Sequence, residues 1–514
     1  MNTEPMNSAL RPKVRAEHPS LAEYLKTRLT DEERERVLIA SFNHWQFGMA
    51  AVAETALTLQ GMGSQVFLAL WSSDTPLHDE GWIADRRLSR FLGTHSPDHN
   101  LERGLIKAAV PASAFIAPPI RNWRPAEDIT VYRKLNRSAI RALTYRGTPA
   151  GKGILQIHPD RNTPIADDYL WPRRWVQRSL RSYAWTHDQA AEVIRERRIT
   201  AVVVNNGRFL HDRAVVEAAQ AAGIRVLATD LGGFDTDFDL TAEPTHDWTS
   251  LQERMIATFE TWDPSERMDL GSEWFHKRAA HSDPWNELFV EAQRKGMALE
   301  NRPEGTMVVF FSSSGDEMVE LDFDWSEYFG GQGQALATLA RLCRELPDTT
   351  LVVRSHPHKR VKPERDVQDW LADVAQAEPD IHLDPFSPVD SYMLMRQADV
   401  VVTYGSTTGI EAAFAGRPVI VMGPSCYDQI EVATPVHTEA EVRAALIDPK
   451  TGSPEAIAAF GLLMMRRGFT VEHVERTPEG GYSVAGIPFM EVTPLALKVN
   501  DFVDRIQRYG LSAR

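Results

Sequence analysis

The chain has 514 residues, too many for a single hydrophobic core, so two or three domains are expected. A formal net charge of −15 argues against general nucleic-acid binding, and two cysteines, Cys343 and Cys426, exclude a disulfide scaffold and fit a reducing compartment. No run of about 18 apolar residues occurs and the first residues lack the apolar core of a signal peptide, so a cytoplasmic protein is expected, peripheral at the inner face of a membrane if its substrate lies there.

Residues 1–30 read as an extension with one short helix, Ser20–Leu29. Arg36–Ala40 is the first predicted strand, Met49–Gln60 a helix and Gln65–Trp71 a second strand, together a βαβ unit. The loop between them, Ser41–Gly48, is not G-x-G-x-x-G, so no dinucleotide fingerprint is assigned. His44 stands in it at a strand's carboxyl end, a place for a general base; a loop histidine bonded to backbone is the plain alternative.

Residues 72–195 carry weak signals, with helical stretches expected near 132–146 and 172–195. From Arg121 to Arg181 there are 13 Lys and Arg against 5 Asp and Glu, interleaved with Trp123, Tyr132, Tyr145, Tyr169, Trp171 and Trp175. Solvated helix faces explain this; so does a basic surface for an anionic acceptor, such as a phospholipid-linked glycan, with peripheral membrane contact.

Thr200–Asn205 is a clear strand, followed by Asn206-Gly207-Arg208 and a helix from Asp212 to Ala222. Ile224–Ala228 is another strand, with Thr229–Gly233 as its exit loop. Asn206, Arg208 and Asp230 thus gather at strand ends: Arg208 suits a phosphate or carboxylate and Asp230 a general base, unless they form structural pairs. Asp235-Thr236-Asp237 is a D-x-D without matching context, read as a solvated turn, and no metal site is assigned. Thr245–Thr261 is expected to be helical, Pro264–Leu299 mixed with a helix from about Pro284, and Glu300–Gly305 a breaker at the domain junction.

Met307–Phe311 opens a second domain. Its loop, Ser312-Ser313-Ser314-Gly315-Asp316-Glu317, has the small and hydroxyl residues that line a site with backbone N–H groups. A helix follows at Gln332–Glu345, then the strand Leu351–Val353 and Arg354-Ser355-His356-Pro357, a basic segment (Lys359, Arg360, Lys362), a helix at Arg365–Ala375 and a strand at Ile381–Leu383. The helix Asp390–Gln397 feeds the strand Val400–Val402, which empties into Gly405-Ser406-Thr407-Thr408-Gly409 before a helix at Ile410–Ala415 and a strand at Val419–Met422. Helices are expected at Glu455–Arg467 and Pro494–Tyr509, the last folding back across the junction.

In an open α/β sheet, ligands bind beyond the carboxyl ends of the strands. The Gly405–Gly409 loop offers amides and hydroxyls to a phosphate at a helix start; capping is the plain alternative. Glu411 can accept two hydrogen bonds from a ribose diol, His356 can stabilise charge on a leaving phosphate, and Tyr427 can stack on a base or pack the floor. Walker A, H-E-x-x-H, C-x-x-C and G-x-S-x-G patterns are absent, which argues against P-loop ATPases, common zinc hydrolases and α/β-hydrolases.

The pairing of R-S-H-P (Arg354–Pro357) with D-V-V-V-T-Y-G-S-T-T-G-I-E-A-A-F-A-G-R-P-V-I (Asp399–Ile420) resembles the donor half of GT-B glycosyltransferases. It is most similar to the bacterial capsule polysaccharide biosynthesis group, which includes Kdo transferases. Asn206–Arg208 and Phe310–Glu317 also look like segments of that group, and the resemblance spans roughly residues 200–490. It implies two Rossmann-like domains facing each other across a cleft: an N-terminal acceptor domain (31–272), a linker (273–305) and a C-terminal donor domain (306–514). It implies a hexosyl- or Kdo-type transferase that needs no metal or other cofactor, with a nucleotide-sugar, CMP-linked by preference, as substrate and a surface or capsular glycan as acceptor. His356 with Arg354, Ser406, Thr407, Thr408 and Gly409 would hold the nucleotide phosphate and leaving group, and Glu411 the ribose. Ser313, Ser314, Glu317, Asn206, Arg208 and Tyr427 complete the expected binding set. The base stays open among Asp230, His44 and Asp212. A GT-B sugar-nucleotide 2-epimerase, a CDP-alcohol phosphotransferase and a non-catalytic glycan-assembly protein are the rival readings.

Overall fold

The computed structural model describes residues 20–29, 35–42, 45–76, 97–156, 168–242, 247–281, 290–314, 325–478 and 480–489. They divide into two compact units: residues 20–242 with 467–489, and residues 247–466. Both are α/β and built on largely parallel sheets, as expected.

The first unit has five strands: β1 (Arg36–Ser41), β2 (Gln65–Leu70), β3 (Ala201–Asn205), β4 (Arg225–Leu231) and β5 (Phe238–Thr241). Their order is β2-β1-β3-β4-β5, parallel except for β5, which pairs antiparallel with β4. The interior of β1 and all of β3 are buried, because a parallel sheet is covered on both faces, and that is why they read as unbroken apolar runs. Helix α1 (Gln46–Gly61) is buried almost all round. The long helix α2 (Arg173–Arg197) ends at Arg198 in the left-handed conformation and packs on α3 (Leu210–Ala221). Trp185, midway along α2, meets Trp71 just past β2 (ring centroids 6.1 Å apart), so the middle of α2 is level with the carboxyl ends of the sheet.

Four expectations for this unit are corrected. The helix near 132–146 is only Arg137–Arg141, because the preceding backbone is bonded to α2 instead of to itself: Val131 N–H donates to Gln177 Oε1 (2.6 Å) and Gln177 Nε2 to Ile129 O (3.0 Å). The strand from Ile224 runs on to Leu231, since β5 pairs with it and turns the supposed exit loop into ladder. The segment after residue 466 belongs to the first unit and not to the second domain. Phe469 bridges to Phe238, Glu54 accepts the amides of His473 (2.9 Å) and Val474 (3.1 Å), and Asp237 accepts Val471 N–H (2.9 Å) and Tyr482 O–H (2.8 Å). Asp237 of the D-x-D is therefore a buried anchor for this segment, not a solvated turn residue.

The second unit begins with α4 (Trp248–Thr261) and α5 (Arg267–Ala279), both placed in the first domain or left mixed by the sequence reading. They pack on α9 (Pro454–Arg466), and Phe275 of α5 stacks on Phe414 with ring centroids 4.4 Å apart. The six-stranded sheet contains β6 (Thr306–Phe311), β7 (Thr349–Arg354), β8 (Ile381–Leu383), β9 (Val400–Thr403), β10 (Val419–Val421) and β11 (Thr434–Pro435) in the order β11-β10-β9-β6-β7-β8. Every pairing is parallel. Counted from β6 this is the doubly wound order 3-2-1-4-5-6, whose direction reverses between β6 and β9. Helices α6 (Gln332–Glu345), α7 (Glu364–Ala377) and α8 (Thr408–Phe414) lie between its strands in the chain. Among the described residues no helix is long and apolar enough to cross a membrane. The expected helices near Pro284 and at Pro494–Tyr509 lie in part or whole outside them.

Candidate functional site at the switch point of the second unit

The register of the second sheet decides which loops meet. Phe311, the last residue of β6, lies opposite Arg354 of β7 on one side and Thr403 of β9 on the other. The segments that follow, Ser312–Ser314, Ser355–Pro357 and Tyr404–Thr408, therefore emerge side by side at the point where strand order reverses. Ser312 Oγ ties two of them by accepting the His356 amide (2.8 Å), and Gln332 Oε1 fixes the first of these further by accepting the Ser313 amide (2.5 Å).

The loop after β9 is set by backbone geometry. Gly405 has φ +72°, and a Cβ there would lie 2.2 Å from Pro424 O and against the Trp325 ring. Ser406 Oγ accepts the Thr408 amide (3.3 Å) and bonds Thr408 Oγ1 (3.1 Å), while Tyr427 O–H donates to Ser406 O (2.5 Å). Thr407 is exposed. Among the described residues the amides of Gly405, Ser406 and Thr407 meet no hydrogen-bond acceptor. Three successive N–H groups in such a turn form a concavity for an anion. Helix α8 behind them has only 7 residues, so the amides count for more than its dipole.

His356 is partly exposed and caps the short 3-10 turn Pro357–Val361: its Nδ1 accepts the His358 amide (3.2 Å). A neutral imidazole that accepts at Nδ1 carries its proton on Nε2, which makes that atom a donor. Ser355, fully buried, accepts from Trp370 Nε1 (2.7 Å), and its hydroxyl shares a hydrogen bond with His382 Nε2 (2.9 Å). Burial pushes the His382 pKa down.

Two expected ligand-binding residues turn out to be internal. Arg354 is 1 % exposed; its guanidinium donates to Asp384 O (3.0 Å) and Ser387 O (3.2 Å), and so clamps the loop after β8. Burial lowers its pKa to about 10, so it stays cationic at neutral pH. Tyr427 is fully buried beneath the Ser406 loop and cannot stack on a base; its hydroxyl pKa is raised, chiefly by burial. Glu411 is also buried. Its Oε1 pairs with Arg278 Nε of α5 at 2.5 Å, and Arg278 lies over the Trp274 ring (4.9 Å). Glu411 Oε2 makes no hydrogen bond among the described residues, which leaves one carboxylate oxygen for a diol.

The sequence reading passed over Phe386. It is 66 % exposed, at the tip of the very loop that Arg354 clamps, with its amide held by Asp384 Oδ1 (2.8 Å). The D-P-F-S-P turn between a strand and a helix was the available signal.

In the first unit, Asn206 (φ +63°) donates its amide to Thr229 O (2.6 Å), so Asn206 and Asp230 are neighbours at the ends of β3 and β4. Asp230 sits inside the antiparallel ladder opposite Asp239, and its Oδ1 accepts the amide of Leu231 (2.8 Å), which corrects its placement in a loop. Arg208 lies over the Phe209 ring (5.2 Å), and Asp212 is fully buried. The sequence did not suggest a further cluster in this unit: His211 stacks on Phe42 (5.1 Å), and its Nε2 bonds Ser182 Oγ (2.8 Å). His44 and Glu317 lie outside the described residues. No group of three potential metal ligands comes together among the described residues.

Residues 291–451 match the family described as capsule polysaccharide biosynthesis protein. The matched residues contain all six strands of the second sheet and every loop of the switch-point site. No curated protein matches the chain. Solved structures with a partial likeness include two KpsC proteins of Thermosulfurimonas dismutans. One is a beta Kdo 2,4 transferase (17 % identity, 51 % of this chain and 79 % of that one, TM-score 0.33). The other is a beta Kdo 2,7 transferase (16 %, 61 % and 89 %, TM-score 0.34). A UDP-GlcNAc 2-epimerase from Neisseria meningitidis bound to UDP-GlcNAc overlaps more of the chain at lower similarity (11 %, 85 % and 96 %, TM-score 0.26). At these TM-scores the three likenesses carry no argument about the chemistry of this chain.

Proposed function

We propose that the protein is a glycosyltransferase of capsule or surface-glycan assembly, of GT-B type, that binds a nucleotide-sugar donor at the switch point of its second unit. The observation that carries this reading is the row of three acceptor-free amides, Gly405 to Thr407, within the residues that match the capsule family. They suit the phosphate of a nucleotide. Glu411 Oε2 takes the ribose diol, and Phe386 offers a flat apolar face to the base. His356, donating through Nε2, stabilises charge on the departing phosphate, a role that asks for no metal. Within this reading a CMP-linked sugar is the donor, and acceptor recognition falls to the first unit, with Asp230 or His44 as base.

Calorimetric titration of the full chain with CMP, UDP, GDP and CDP tests this. One nucleotide is expected to bind, CMP first, with affinity and turnover unchanged by EDTA. Binding of none overturns the donor site. Incubation with the matching nucleotide-sugar and no acceptor is expected to return the sugar unaltered, and an epimerised donor would refute transfer.

A further inference from the structure

A second surface, on the first unit, is built for a different ligand. Residues 129–135 run antiparallel to the start of α2. Trp171 N–H donates to Leu135 O (2.8 Å), and Arg173 to Val131 O (3.1 Å), beside the Gln177 bonds described above. Val131, Trp171 and Trp175 turn inward, and the two indoles stack 4.6 Å apart. Tyr132, Arg133, Lys134, Leu170, Arg173 and Arg174 are left on the outside. Tyr132 is 78 % and Leu170 54 % exposed. At 1.5 Å per helical residue, this end of α2 lies roughly 18 Å along the helix from Trp185.

The charge of this face is uncompensated. Arg133, Lys134 and Arg174 form no ion pair with any described residue. The nearby acids are Asp128, which accepts the Tyr132 hydroxyl (3.3 Å), and Asp168. In a chain of net charge −15, a face of exposed cations around two protruding apolar side chains is a local inversion of the surface. Single exposed apolar residues are ordinary. Their setting among cations, on an edge held by backbone hydrogen bonds to α2, is the pattern of an interfacial anchor: cations meet anionic headgroups while apolar tips enter the acyl boundary. A soluble polyanion would use the cations and gain nothing from Leu170.

We infer that this face docks the protein on an anionic phospholipid surface. The inference does not depend on the transfer reaction. The full chain is expected to co-sediment with phosphatidylcholine vesicles that contain phosphatidylglycerol, to ignore pure phosphatidylcholine, and to release as salt rises. Removing three charges (R133Q, K134Q and R174Q together) is expected to weaken binding on the order of a hundredfold, at roughly fivefold per charge. Y132S with L170S is expected to weaken vesicle binding severalfold while leaving retention on dextran sulfate unchanged. All five positions are exposed, and the salt series needs no variant. Failure of the wild type to bind phosphatidylglycerol vesicles at low salt overturns the proposal. So does full vesicle binding by the Y132S, L170S variant, which would mark the face as a polyanion site.

Discussion

Arg354 separates what the sequence suggests from what the structure does. Replacing it by Met keeps the side chain's bulk and removes the charge. Two hydrogen bonds from a charged donor, to Asp384 O and Ser387 O, are lost in a site that is 1 % exposed. Such bonds contribute roughly 1.5–3 kcal/mol each. Relief from burying the guanidinium offsets part of this, so the net loss is about 3 kcal/mol, more than a hundredfold in the opening equilibrium of the loop. Hydrogen exchange followed by mass spectrometry reads it locally. The amides of Ser355, Phe386 and Ser387, bonded to Leu383 O, Asp384 Oδ1 and Asp384 O, are expected to exchange about a hundredfold faster. First-unit strands serve as the unchanged control. Nucleotide affinity is expected to fall in step, because Phe386 loses its position. Unchanged exchange together with lost nucleotide binding would refute this reasoning and return Arg354 to the role of a phosphate ligand.

Other outcomes are as definite. Gly405→Ala, whose Cβ meets Pro424 O at 2.2 Å in a left-handed backbone, is expected to destabilise the second unit by more than about 2 kcal/mol and abolish nucleotide binding; a fully stable, binding-competent variant would show that the loop is not rigid. Phe386→Ala is expected to weaken the bound nucleotide roughly tenfold or more without any change in thermal unfolding, since the ring is exposed; calorimetry that finds equal affinity removes it from the site. Burial works to raise the pKa of Asp188 in the first unit, but the His187 ring beside it (3.5 Å), hydrogen bonds from Tyr145 and Trp123, and the charge of Arg146 outweigh it and hold the carboxyl below its ordinary value. A depressed folded value means that this stabilisation is complete above the ordinary carboxylate range and is lost as pH falls through the folded value. Urea unfolding of Asp188→Asn is therefore expected to show lower stability at neutral pH and a smaller further loss between about pH 5 and about pH 3 than the wild type.

The sheets of both units were largely legible because strands covered on both faces must be apolar throughout; β1, β3, β6 and β9 stand within a residue or two of where their sequences put them. The site loops followed from the strands. Sequence could not reveal which polar side chains turn back into the protein. Arg354 and Tyr427 sit at strand ends like ligands, yet their partners, the Asp384–Ser387 loop and Ser406, become visible only in three dimensions. Asp230 was misplaced because β5 is four residues of Phe238–Thr241 with no strong local signal, and only its pairing makes Asp230 part of a strand. Helix α5 was hidden in polar sequence, its buried stripe limited to Leu270, Gly271, Trp274 and Phe275. The segment after residue 466 left the second domain for the sake of two carboxylates, Glu54 and Asp237, more than 200 residues away.

Those non-local ties make the matched segment, residues 291–451, less than a folding unit. Glu411, central to the site, has its charge partner Arg278 on α5, outside residues 291–451. Phe414, three residues on, stacks on Phe275, and the loop holding Tyr427 is fastened from α4: Gln252 Oε1 accepts the Gln429 amide (2.6 Å), and Gln252 Nε2 donates to Asp428 (3.2 Å). Cutting at residue 291 would strand a buried carboxylate, a loss of roughly 3–5 kcal/mol, and expose the aromatic stack. A fragment of residues 291–451 is therefore expected to unfold without a cooperative transition and to bind no nucleotide. Residues 247–466, which restore α4, α5 and α9, are expected to unfold cooperatively and to bind the nucleotide with the affinity of the whole chain. Equal affinity of the shorter fragment would mean that Arg278 and α5 are dispensable to the site, and that Glu411 keeps its place without a partner.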